Sequence, residues 1–141
     1  MTSREYLERP ETLRLEIRRK QLRVETLRRL STRFSARLGD ARVLVSPDPS
    51  RMQAFLAEAV DEEREIRRLE EARNQAVADT ALLISGLPDE QMVRIMELRY
   101  LDRYTWEEIT DRMGCCASRI YRLHRQALEL LTPPPDVPDP A

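Results

Sequence analysis

Apolar residues recur every three or four positions through most of the chain, with polar and charged residues filling the gaps. Between about 11 and 38, Leu13, Ile17, Val24, Leu27 and Phe34 hold one stripe, and Leu15, Leu22 and Leu30 widen it. That spacing is one face of an α-helix. Pro10 suits the first turn of such a helix, where a missing N–H costs no hydrogen bond. Gly39, Pro47 and Pro49 break the pattern over 39–50, and Val43–Val45 inside the break is too brief for a strand. A second stripe, Phe55, Ala59, Ile66, Leu69, Ala76, Leu83 and Leu87, recurs at intervals of 3, 4 or 7 and predicts a helix over 51–85. It is close to a heptad seam, weakened by Glu62, Arg73 and Thr80. Ser50 and Gln53 have the spacing of a capping box, and Gly86 and Pro88 end the run. The short connection makes 11–38 and 51–85 an antiparallel hairpin.

Past Asp89, which can cap the next helix, the periods shorten. Met92, Ile95, Met96, Leu98 and Tyr100–Leu101 predict a helix over 90–101. Thr105 stands three residues before Glu108, so each side chain can satisfy the other's backbone N–H. Trp106, Ile109 and Met113 then share a face. Gly114 allows the left-handed exit from a helix. A new series follows in Ile120, Leu123, Ala127 and Leu131. Three short amphipathic helices closing a small core around Trp106 make a helix-turn-helix unit. The last ten residues hold five prolines and predict a disordered or polyproline-like tail. The expected fold is therefore all-α. Residues 1–88 form a long helical hairpin that dimerises or serves as scaffold, 89–131 the helix-turn-helix, and 132–141 the tail.

Composition narrows the class. The 141 residues carry a net charge of −1, unevenly spread. Residues 1–50 hold twelve bases and seven acids, 51–88 five bases and eight acids, so a basic first helix lies well against an acidic second one. No stretch is long and apolar enough for a membrane helix, and the charged N-terminus is unlike a signal peptide, which predicts a cytoplasmic protein. Adjacent Cys115 and Cys116 make a poor disulfide and, with His124 as the single histidine, no zinc site. Cys115 reads as turn or core, and Cys116 stands where a Ser or Thr cap is usual. The sequence offers no catalytic constellation, Gly-rich phosphate loop, metal or cofactor site, so an enzyme is not expected. His124 reads as packed or phosphate-contacting.

The last helix carries the chemistry. Taking about 100° per residue from the buried direction of Ile120, Leu123, Ala127 and Leu131, Ser118, Arg122, Arg125 and Glu129 point away from the core. Arg119, Tyr121 and Gln126 flank them. Residues 118–126 thus present three arginines and no acid on that face. Arginine grips phosphates and bonds guanine edges bidentately. An arginine face is also ordinary solvated surface, and 89–131 as a whole holds seven arginines against eight acids. The residues leave both readings open.

The segment ELRYLDRYTWEEITDRMGCCASRIYRLHRQALELL resembles the C-terminal unit of small phage and prophage regulators of the ArpU and RinA type. It also resembles a related prophage family without an assigned function. The unit is similar to region 4 of bacterial sigma factors, which share an LRYL…EEIA…G…LHRA-like outline. Upstream, EYLERP, SPDPSRM and DEEREI fit the prophage layout, so the resemblance spans roughly residues 4–131. Its most specific elements are Leu98-Arg99-Tyr100-Leu101, Trp106-Glu107-Glu108-Ile109, and Tyr121-Arg122-Leu123-His124 with Ala127-Leu128. It implies binding of double-stranded DNA through the second helix of the unit and activation of late phage genes in a bacterial host. On that reading Ser118, Arg122 and Arg125 meet bases or nearby phosphates. Arg119 and Tyr121 meet the backbone, and the hairpin makes a homodimer that sets half-site spacing. RNA polymerase is a further partner by fold analogy. Two departures stand out. Cys115-Cys116 replaces an aromatic followed by Ser, which weakens the cap of the last helix. The Leu-His pair also lies one residue closer to Ile120 than in sigma region 4, which shifts the reader positions. The competing readings are a helical adaptor that docks on RNA polymerase without DNA affinity, and a phage terminase small subunit, in which the DNA-binding unit usually comes first.

Overall fold

The structure, a computed structural model, describes residues 1–38 and 49–135. Most of the expected break at 39–50, the end of the tail and the side chain of Phe34 lie outside the described residues. Among the described residues the fold is all-α: α1 (Ser3–Leu38), α2 (Pro49–Ser85), α3 (Glu90–Met96) continuing into a π-helical turn (Glu97–Leu101), α4 (Trp106–Met113) and α5 (Ala117–Leu130).

Both long helices start earlier than their stripes indicate. Thr2 and Glu5 form a capping box: the Thr2 hydroxyl accepts from the Glu5 N–H at 3.2 Å, and the Glu5 carboxylate accepts from the Thr2 N–H at 2.9 Å. The helix continues through Pro10. Pro10 loses the bond to the Tyr6 carbonyl and its ring crowds that group, a cost opposed by the burial of Tyr6, Leu7 and Pro10 itself. In α2, Pro49 takes the first helical position, so Ser50 lies within the first turn instead of capping it.

The chain divides into two compact units, Leu13–Ala72 and a second made of Met1–Thr12 with the chain from Arg73 onward. In Leu13–Ala72 the seam between α1 and α2 buries Leu13, Ile17, Leu27, Ala59, Ile66 and Leu69. Leu15 and Leu22 do not widen it: both are about half exposed, because a step of about 100° puts them nearly opposite Ile17 and Leu27. Bases of α1 meet acids of α2, as the charge distribution suggests. Lys20 pairs with Glu62 at 3.2 Å, Arg23 with Glu58 at 3.0 Å, and Arg28 with Glu63. Such partly or fully exposed pairs contribute at most about 1 kcal/mol each.

The other unit has a contiguous core. Leu7 of α1, Ile84 and Leu87 at the end of α2, Met92, Ile95 and Met96 of α3, Leu98 and Tyr100 of the π-turn, Ile109 of α4, and Ile120, Leu123, Ala127 and Leu131 of the α5 segment pack together. Ile84 takes the buried place expected for Leu83, which packs at the margin. Asp89 caps α3, accepting from the Gln91 N–H at 2.8 Å. The π-turn closes with the Asp102 N–H on the Glu97 carbonyl at 2.9 Å, five residues back, and brings Leu98 and Tyr100 both inward. The start of α1 is tied to the end of α5: the Ser3 hydroxyl donates to the Leu131 carbonyl at 2.7 Å, a group no helical N–H can reach. Arg9–Asp79 and Arg103–Glu11, both at 3.6 Å, add further ties within this unit.

Candidate nucleic-acid interface

The turn between α4 and α5 follows from its caps. The Thr105 hydroxyl accepts from the Glu108 N–H at 3.2 Å and the Glu108 carboxylate reaches back to the Thr105 N–H at 3.5 Å, completing the box read from the sequence. Gly114 leaves α4 with φ 65°, the left-handed conformation that favours glycine. Cys116 is the cap residue of α5, with extended φ and ψ, and its side chain caps no backbone N–H. Its thiol instead lies 3.4 Å from the Ser118 hydroxyl. That hydroxyl is the main reason that the Cys116 thiol is held below its ordinary pKa. Cys115 is half-buried and its thiol donates to the Met113 carbonyl at 3.5 Å, a turn role.

From this frame α5 turns Ile120, Leu123, His124 and Ala127 inward. Ser118, Arg119, Tyr121, Arg122 and Arg125 are all exposed, together with Gln126 and Glu129. Arg122 and Arg125 have no ion-pair or hydrogen-bond partner among the described residues. Arg119 does: its guanidinium donates to the Gln91 side-chain oxygen of α3 at 2.7 Å. Tyr121 is half exposed and leans on Trp106, ring centroids 5.2 Å apart.

Trp106 is not the centre of the core. It stands at the first position of α4, half-buried at the rim, where Arg99 of the π-turn lies over its ring at 4.6 Å. Beneath it is His124, edge-on at 4.7 Å, with the Tyr100 hydroxyl 2.7 Å from its Nε2. Burial, then the nearby Arg4 and Arg99 charges, lower the His124 pKa to about 4. Burial is also the main reason that the Tyr100 phenol is pushed up, against a lowering hydrogen bond from Arg4. The imidazole is thus neutral at neutral pH and packed, which takes it out of phosphate contact and leaves it to support the Trp106–Tyr121 pair. Sequence reasoning missed Gln91, Arg4 and Arg99 in this neighbourhood. Each reaches its partner from another element, and no spacing within one helix reports such a meeting.

No group of three or more His, Cys, Asp or Glu side chains suited to a metal occurs among the described residues, and none of the described helices is long and apolar enough to cross a membrane. The arrangement of α3, the capped α4, the glycine turn and α5 is a helix-turn-helix. Residues 83–131 match the family model described as Sigma-70, region 4, which covers about a third of the chain. The unit is thus a sigma-70 region-4-like helix-turn-helix. Comparison with curated proteins and with solved structures gave no match.

Proposed function

We propose that this protein is a sequence-specific, DNA-binding transcriptional regulator, encoded by a phage or prophage, that works in the bacterial cytoplasm to activate late genes. It is not an enzyme on this reading. One observation carries it: in a region-4-like helix-turn-helix, residues 118–126 of α5 present an exposed face with three arginines and no acid. Inserted in a major groove, α5 brings Ser118, Arg122 and Arg125 to base edges or adjacent phosphates, and Arg119 and Tyr121 to the backbone. The likeness of the motif string to ArpU- and RinA-type regulators supports the phage assignment.

The hairpin makes the protein a homodimer. Leu15, Leu22, Leu56 and Val60 leave apolar surface in Leu13–Ala72 that a second copy can cover. Two recognition helices then address half-sites separated by about one or more helical turns of DNA, roughly 34 Å each. On this basis the functional division of the chain is 1–88 for dimerisation, 89–131 for DNA and 132–141 as a tail.

Arg122→Glu is expected to abolish the shift of a cognate fragment in a mobility assay while far-UV helicity is retained. Unchanged affinity removes Arg122 from the interface. A second reading is favoured by the acids of α4, where Glu107, Glu108 and Asp111 are all exposed: an adaptor that docks on RNA polymerase without touching DNA. Capture of polymerase core by a protein with no DNA affinity at low salt supports the adaptor instead.

A further inference from the structure

Gln91 and Arg119 are 28 residues apart, on different helices, and their side chains meet at 2.7 Å. Gln91 is the second residue of α3, and its backbone N–H is fixed by the Asp89 cap. Its side chain is therefore the part free to turn toward α5. Arg119 lies in the first turn of α5, at the edge of the exposed arginine face. A guanidinium has five N–H donors in a planar fork, so the bond to Gln91 leaves donors to spare.

The chemistry of the acceptor separates this arginine from four others on the surface. Arg23, Arg28, Arg29 and Arg68 are each held by a glutamate, Glu58, Glu63, Glu25 and Glu65 respectively. A carboxylate partner neutralises the arginine it orders. Gln91 orders Arg119 through a neutral amide and leaves the positive charge whole. An arginine that is both fixed and uncompensated is fitted to an anion, because it loses less side-chain entropy on binding and keeps its full attraction.

We infer that Gln91 is a positioning residue for DNA binding: from α3 it holds the Arg119 guanidinium at the edge of α5, ready for a backbone phosphate. The inference rests on the DNA-binding reading above and extends the interface to a helix outside the recognition helix.

The test uses the full chain and a labelled DNA fragment that the wild type binds, titrated by fluorescence anisotropy at several salt concentrations. Gln91→Ala is expected to weaken binding by about fivefold, the cost of ordering one long side chain, with the salt slope kept. Gln91→Glu, which neutralises Arg119 in place, is expected to weaken it by about tenfold or more and to lower the salt slope by about one, and Arg119→Ala is expected to lower the slope equally. In the Arg119→Ala background, Gln91→Ala is expected to change nothing further, and the variants are expected to melt as the wild type does. Wild-type affinity in both Gln91 variants overturns the inference, and so does an undiminished Gln91→Ala effect in the absence of Arg119. A wild type that binds no fragment at low salt overturns the DNA-binding reading itself, and this inference with it.

Discussion

The two compact units bury their apolar residues in different ways. In the unit that joins Met1–Thr12 to the chain from Arg73 onward, thirteen buried residues form one cluster contributed by every helix. Among the described residues of Leu13–Ala72, six apolar residues line a single seam, charge pairs flank it, and four large apolar side chains face solvent. Helix length explains the contrast. α3, α4 and α5 have 7, 8 and 14 residues, too short to persist alone, so they exist only through a shared core. α1 and α2 have 36 and 37 residues and are supported by their own turns and ion pairs, so they tolerate a thin seam. A shared core also fixes what faces outward. Packing of Ile120, Leu123, His124 and Ala127 determines where Arg122 and Arg125 point, and the proposed DNA-reading face lies on this unit. The thin seam of the hairpin leaves the apolar surface on which a second copy is proposed to pack.

The sharpest way to break this contrast is to cut the core far from α5 in sequence. Leu7 is fully buried in the cluster although the rest of α3–α5 lies more than eighty residues later. Leu7→Ala is expected to destabilise the helix-turn-helix unit by about 2–5 kcal/mol. Trp106 is the only tryptophan and belongs to this unit, so urea unfolding followed by its fluorescence reads the effect directly. An unmoved midpoint separates the start of α1 from this core.

Acid is the next lever. The folded pKa of His124, about 4, lies below its ordinary 6.5, so the unfolded chain binds the extra proton first as pH falls. Its contribution is fully present above pH 6.5, is lost progressively between about 6.5 and 4, and levels off below. The loss amounts to up to about 3 kcal/mol. Trp106-detected unfolding at pH 7.5 and 4.5 is expected to show it, and His124→Gln is expected to lack that part of the slope. Equal slopes in the two proteins place the titration elsewhere.

Smaller effects are expected at a cap of the packed unit and at a charge pair of the seam. Thr105→Ala removes the cap of α4 and is expected to cost the Trp106-reported unit about 1 kcal/mol in thermal unfolding. Glu62→Gln removes the partner of Lys20 at the hairpin seam and is expected to cost less than about 1 kcal/mol, seen in the far-UV signal and diminishing with salt. A larger loss in the second variant than in the first contradicts the contrast between packed core and charged seam.

Local chemistry was legible in the sequence. Thr105 with Glu108, Asp89 and Gly114 each act over four residues or fewer, and each behaves as its spacing indicates. The pairing of basic α1 with acidic α2 was legible too, since it rests on net charge over whole helices. The Thr2–Glu5 box has the same spacing as Thr105–Glu108, but Pro10 masked it by suggesting that the helix begins there. Hydrophobicity alone puts Leu15 and Leu22 on the stripe, but their angles place them opposite it. The Arg119–Gln91 bond and the Arg4–Tyr100–His124 neighbourhood were not legible, because both depend on how separate helices are stacked. So does the edge position of Trp106, whose size alone suggests a centre.

α5 is proposed to read DNA through its outward arginines, and anisotropy binding to fragments of the protein's own genome at several salt concentrations, beside Arg122→Glu/Arg125→Glu, tests this. The expected result is tight binding to one fragment, steeply weakened by salt and lost in the double variant with its helicity intact. Equal affinity in the double variant, or no binding by the wild type at low salt, contradicts the claim and turns attention to RNA polymerase.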